Sequence, residues 1–132
     1  MANKAGKTVP CNRAEALKRL ATAKSYQVRA GELAETEADR QAAAGNAVLA
    51  GIAAADAICC VRLGRTSKSS NHQDSITLLT QVDKGLADSL RVLISKKDLA
   101  HYGGGFVNAE VLKTLRRNSA HLIEAAEAAV TS

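Results

Sequence analysis

From residue 12 onward, apolar residues recur at spacings of three and four and are interrupted by turn-forming residues. That is the period of an amphipathic helix; the two-residue alternation of half-buried strands is absent. Asn12-Arg-Ala-Glu15 has the form of a capping box, in which the Asn and Glu side chains each accept the other residue's backbone N–H. It predicts a first helix with Ala16, Leu17, Leu20, Ala23, Tyr26 and Val28 as its apolar positions, weakened or bent at Gly31. Thr36-Glu-Ala-Asp39 offers the next start, and a second helix is predicted over residues 39–63. Between Ala42 and Val61 this helix is apolar or small on nearly every face, which places it at the centre of a bundle. Gly45 and Gly51 would let neighbouring helices approach it closely, and Gly64 is a good stop. Residues 65–71 read as a polar, basic loop. Ser70-Asn-His-Gln73 then caps a third helix over 72–81, with Ile76, Leu78 and Leu79 turned inward. Asp83 caps a fourth over 84–102, with Leu86, Leu90, Leu93, Ile94 and Ala100 inside, ended by Gly103-Gly104-Gly105. Asn108 caps the last helix, over 109–130.

Composition strengthens this pattern. Alanine and leucine, both strong helix formers, dominate, while the chain has no Trp, one Phe, two Tyr and one Pro. At 132 residues it suits one domain able to bury a core. The expectation is an all-α fold: a five-helix, roughly up-and-down antiparallel bundle around a central apolar helix, spanning residues 11–132, after a disordered basic leader over 1–10.

Charge adds a partner class. The formal net charge of +5 permits nucleic acid or another anion as a partner, although a mildly basic solvated surface gives the same sum. Arg62, Arg65, Lys68 and His72 form the densest basic cluster and are the candidate nucleic-acid contacts. The shortage of aromatic residues argues against a stacking platform for single-stranded RNA. The three cysteines, Cys11, Cys59 and Cys60, are an odd count with two adjacent in an apolar helix. They suggest no disulfide framework, buried thiols at 59 and 60, and a reduced, cytoplasmic setting. No metal-ligand spacing is visible, so no metal or cofactor is expected. The stretch Ala47 to Val61 reads as too short and too alanine-rich to span a bilayer, with Asp56 interrupting it, so no membrane partner is expected.

Several landmarks resemble a known family. Gly51-Ile-Ala-Ala-Ala-Asp-Ala-Ile-Cys-Cys-Val-Arg-Leu-Gly64, the polar loop and His72-Gln-Asp-Ser-Ile-Thr-Leu-Leu79 resemble the middle of small actinobacterial-type HEPN domain proteins. Leu93-Ile-Ser-Lys-Lys-Asp-Leu-Ala-His-Tyr102, with the glycines and amphipathic helix that follow, resembles their second half. The resemblance implies a helical bundle, often dimeric, among metal-independent ribonucleases, toxins and partners of minimal nucleotidyltransferases. It also implies an active site of Arg, four to six residues, then His, shared in a dimer cleft.

Metal-free RNA cleavage needs a proton-transfer group near neutrality, which His supplies, and a cation fork on the phosphate, which Arg supplies. Lys96-Lys-Asp-Leu-Ala-His101 stands where the family motif belongs but has Lys in place of Arg, a point charge in place of a bidentate clamp. Lys96, Lys97, His101 and Tyr102 are therefore the candidate catalytic residues of an altered site; their structural reading is a helix end whose cations complement the dipole. Arg116-Arg-Asn-Ser-Ala-His121 matches the spacing literally, inside the last helix. Asp56, a carboxylate in an apolar helix, requires a partner: either a neighbouring helix, at Tyr102, His101 or His72, or a histidine that it orients.

Three functions follow as expectations. The first is a HEPN-like nucleic-acid- or partner-binding component of a toxin–antitoxin or defence system, with weak or lost ribonuclease activity and with RNA, a cognate nucleotidyltransferase or an antitoxin as partner. The second is an active metal-independent endoribonuclease using His101 with Lys96 or Lys97. The third is a structural adaptor that forms a homodimer.

Overall fold

A computed structural model describes residues 6–68, 71–102 and 106–132, with the backbone alone at His101 and Tyr102. Among them are six helices: α1 (Arg13–Ala30), α2 (Glu37–Leu63), α3 (His72–Thr80), α4 (Lys84–Ser95), α5 (Lys97–Tyr102) and α6 (Ala109–Thr131). Two three-residue strands, β1 (Thr8–Pro10) and β2 (Arg65–Ser67), complete the order. The fold is an all-α bundle.

The caps of α1, α2, α4 and α6 act where the residue types placed them, while α3 is capped by Asn71, Ser70 lying outside the described residues. The Asn12 side chain accepts the Glu15 N–H at 2.9 Å and the Glu15 carboxylate accepts the Asn12 N–H at 3.1 Å. Thr36, Asp83 and Asn108 each accept the N–H three residues on, and Asn71 accepts that of Gln73. Each bond satisfies a donor that the helix start leaves unpaired. Gly64 closes α2 at φ 72°, a left-handed conformation open to glycine at little cost.

Helix α2 is the axis of the core. Ala43, Ala44, Ala47, Val48, Ala50, Ala53, Ala54, Ala57 and Ile58 on it are buried, packed against Leu20 of α1, Leu90 and Leu93 of α4, and Leu115 and Leu122 of α6. Alanine on the central helix lets its neighbours lie close. At Gly51 the approach is tighter still, because any Cβ there would overlap the Leu93 side chain of α4. Helix α2 is long and apolar enough by composition to cross a membrane, with an 18-residue window of mean hydropathy 1.7, contrary to the expectation from its alanine content. Two thirds of that window (67%) is buried by the rest of the bundle, so the apolarity of α2 serves the core.

The structure corrects three expectations. The predicted fourth helix is two, α4 and α5. At Lys96 the N–H turns back to the Leu93 carbonyl, tightening the last turn, and the Ser95 hydroxyl donates to the Val92 carbonyl. The chain bends there and carries α5 onto α2 with Ala100 buried. Secondly, the end of the supposed leader is ordered: β1 pairs antiparallel with β2 in the register Thr8–Ser67, Val9–Thr66, Pro10–Arg65. The basic loop after α2 therefore begins as a strand. Thirdly, Cys11 and Cys60 form a disulfide, with Cα atoms 5.2 Å apart and 49 residues between them in sequence. Cys59 alone keeps a buried thiol. Because a structural disulfide belongs to oxidising settings, a reduced cytoplasm no longer follows from the cysteines.

Candidate nucleic-acid interface

The disulfide and the ribbon gather charge at one end of the bundle. The start of α1, the end of α2 and both strands meet there. The Cys11 N–H donates to the Gly64 carbonyl at 2.9 Å, and the Lys68 N–H donates to the Lys7 carbonyl at 2.9 Å. Lys7, Arg13, Arg62 and Lys68 are exposed at this end. Arg65 is half-buried and donates to the Gln81 Oε1 atom at 3.1 Å. His72 is half-buried in the first turn of α3. The structure thus brings together the four residues singled out in the sequence, Arg62, Arg65, Lys68 and His72, and adds Lys7 and Arg13. Glu15 and Asp74 are the acids nearest to them along the same elements. Neither Lys7 nor Arg13 stands out in sequence, because only the ribbon and the disulfide bring them alongside residues some fifty positions away.

Asp56 has the partner it required, on a helix that its sequence did not suggest. Arg19 of α1 donates to Asp56 Oδ2 at 3.0 Å, with the two side chains 40% and 24% exposed. Burial pushes the Asp56 carboxyl above the usual carboxylate range; the Arg19 charge and hydrogen bond oppose that shift without cancelling it. The pair lines a cleft of about 270 Å³ with Cys11, Glu15, Lys18 and Thr66. Burial, with the Asp56 charge next to it, pushes the Cys59 thiol up to about 12, so it holds its proton and remains unreactive near neutrality.

The residues in which the resemblance places its motif lie at the bend between α4 and α5 and along α5. Lys96 is exposed at the bend between α4 and α5, and Lys97 is half-buried in the first turn of α5. His101 and Tyr102 close α5, and their side chains lie outside the described residues. A shallow groove of about 480 Å³ lies between α2 and α5, lined by Ala38, Gln41, Ala42, Gly45, Asn46 and Leu49 of α2 with Ala100 of α5. Among the described residues no charged side chain lines it.

The literal motif in α6 divides into two unrelated contacts. Arg116 caps the end of α1, its Nε donating to the Ala30 carbonyl at 2.6 Å and its Nη2 to the Glu32 carbonyl at 2.8 Å. His121 shares a hydrogen bond of 2.9 Å through Nδ1 with the Ser89 hydroxyl of α4. The arginine is committed to backbone oxygens and the histidine to another helix, so the pair does not face a common phosphate. No cluster of His, Cys, Asp and Glu able to hold a metal occurs among the described residues.

No family model matches the chain, and no curated protein or solved structure does.

Proposed function

We propose that this HEPN-like bundle binds RNA by its phosphates through the ribbon end. The observation that carries the reading is the Lys68–Lys7 backbone pairing, which sets the leader's cation beside the Arg62–Lys68 cluster. Phosphate contact asks for several cations on one surface, and it supplies affinity without reading sequence. Tyr26 lies in the second half of α1 and Phe106 just before α6, both away from the ribbon. With His72 the one aromatic ring there among the described residues, and no Phe, Tyr or Trp, the surface suits the regular phosphate rows of base-paired RNA better than splayed single strands.

The test is fluorescence anisotropy with a short RNA duplex, comparing the parent with Arg62→Glu/Lys68→Glu and with Lys113→Glu/Arg117→Glu on α6 as a charge-matched control. Binding by the parent, reduced at least tenfold by the ribbon pair and little by the α6 pair, is the expected result. Equal losses in both variants would reduce the ribbon end to an ordinary share of net charge, and the reading would fall. The same samples report on cleavage by His101 with Lys96 or Lys97: the RNA is expected to stay intact, and cleavage abolished by His101→Ala would replace the binding reading with the ribonuclease.

A further inference from the structure

From Lys7 to Glu15 no side chain is buried, and the first buried one along this stretch is Ala16 of α1. Strands β1 and β2 likewise bury none of their residues. The ribbon therefore rests on backbone hydrogen bonds, and Pro10 has no N–H to give one. A lone two-stranded ribbon is marginal in water. What fixes this one is the covalent bond at its foot. Cys11 follows β1 directly, and Cys60 stands in the last turn of α2, just ahead of β2.

Access to that bond is one-sided. Cys60 is 2% exposed, whereas Cys11 is half-buried and lines the cleft of about 270 Å³ beside Arg19 and Asp56. An incoming thiol thus meets the Cys11 sulfur first, which leaves Cys60 as the departing group. The opened state is provided for as well. The Cys60 sulfur lies 3.1 Å from the Asn12 carbonyl oxygen. That oxygen accepts the Ala16 N–H at 3.0 Å and has a second lone pair, so a buried Cys60 thiol has an acceptor in place. Cys59, buried with its thiol protonated, does not compete for the bond.

We infer that the Cys11–Cys60 bond is a reversible exchange site for a small thiol, and that opening it releases β1 from β2. A thiolate attacks the Cys11 sulfur, the S–S bond breaks, and Cys60 departs as a thiolate that takes a proton from water. A second thiolate then attacks the small thiol's sulfur in the mixed disulfide and frees Cys11, which is protonated in turn. The protein bond gains two electrons and two small thiols become one disulfide; an excess of that disulfide runs the sequence backwards. The consequence for RNA rests on the phosphate-binding reading above: release of β1 takes Lys7 away from Lys68 and removes one cation from the surface.

The intact, oxidised protein, treated with glutathione or dithiothreitol in the absence of denaturant, tests this. After glutathione and rapid alkylation of free thiols, mass spectrometry should find glutathione on Cys11 and the alkyl group on Cys60. In dithiothreitol, amide hydrogen exchange over residues 7–11 and 65–68 should quicken roughly tenfold while circular dichroism keeps the helical signal. Affinity for the RNA duplex should fall about fivefold at about 0.15 M salt, the share of one phosphate contact, and return on reoxidation. Cys11→Ser/Cys60→Ser should match the reduced parent and ignore dithiothreitol. A bond that opens only in denaturant, glutathione on Cys60, or loss of the helical signal on reduction would each overturn the inference. So would ribbon exchange that reduction leaves unchanged, or duplex binding that is equal in both redox states. A protein that binds no duplex in either state would instead fell the phosphate-binding reading, and the ribbon's hydrogen exchange would still decide whether the bond is a latch.

Discussion

The ribbon end and the opposite end of the bundle are held by different chemistry. At the ribbon end a covalent bond joins residues 49 apart, and two short strands fasten what precedes α1. At the other end two arginines, Arg40 and Arg116, hold loop carbonyls that would otherwise be left without partners. Each arginine bond closes a long sequence separation as the disulfide does, but each can be broken alone. The difference teaches where the stability should concentrate: the cross-link acts on the unfolded chain, whereas the arginines act only in the folded one.

Removing the cross-link should have the largest effect. Closing a loop of that length is worth about 4 kcal/mol in the chain-entropy account. Cys11→Ser/Cys60→Ser should therefore lower the urea midpoint more than any other change considered, and reductant should shift the parent to the same midpoint but leave the double variant unmoved. Second comes Arg116→Ala, which abandons two carbonyls and should cost about 2 kcal/mol, read from the same unfolding curves. A loss as large as that of the cysteine variant would invert the comparison.

Away from both ends, Gly51→Ala sets a Cβ against Leu93. Overpacking of about 2 kcal/mol, less about 1 kcal/mol regained from alanine's helix propensity, leaves a net loss of about 1 kcal/mol. Pairing it with Leu93→Ala should recover part of that loss in a double-mutant cycle, since the two side chains share one space.

Asp56 gives the smallest effect, and its sign follows from the direction in which burial moves the carboxyl. Its folded-state carboxyl titrates above the ordinary value, so the folded chain holds the proton more tightly than the unfolded chain does. The stability this contributes is complete below the unfolded value of 3.8 and is lost as pH rises through the higher folded value. Relative to Asp56→Asn, the parent should become less stable over that rise and follow a parallel course above it. A parent that instead gained stability over the same window would mean that Arg19 outweighs burial.

Much of the fold was legible because helix starts are local. Asn12, Thr36, Asp83 and Asn108 each reveal a cap by their own chemistry and a partner three residues away. The α4–α5 bend was not, since its apolar positions continue a helical period and only the docking of Ala100 on α2 interrupts it. The ribbon was equally hidden, because three residues carry no readable alternation. The Cys11–Cys60 bond has no local signature, and the odd cysteine count pointed the other way. Of the candidate site, the Arg62 to His72 cluster was visible as a run of basic residues. Lys7, Arg13 and the Arg19 partner of Asp56 were not, because their positions depend on contacts remote in sequence. The Arg116–His121 spacing looked like a motif only along the chain; in three dimensions its members serve the α1 terminus and Ser89.

The central claim, phosphate binding at the ribbon end, is tested most directly by the salt dependence of RNA affinity. The logarithm of the association constant should fall linearly with the logarithm of salt concentration, with a slope that counts displaced counterions. Lys7→Ala and Lys68→Ala should each flatten that slope by about one unit if the side chain meets a phosphate. A slope near zero for the parent, or one that neither substitution changes, would contradict the account.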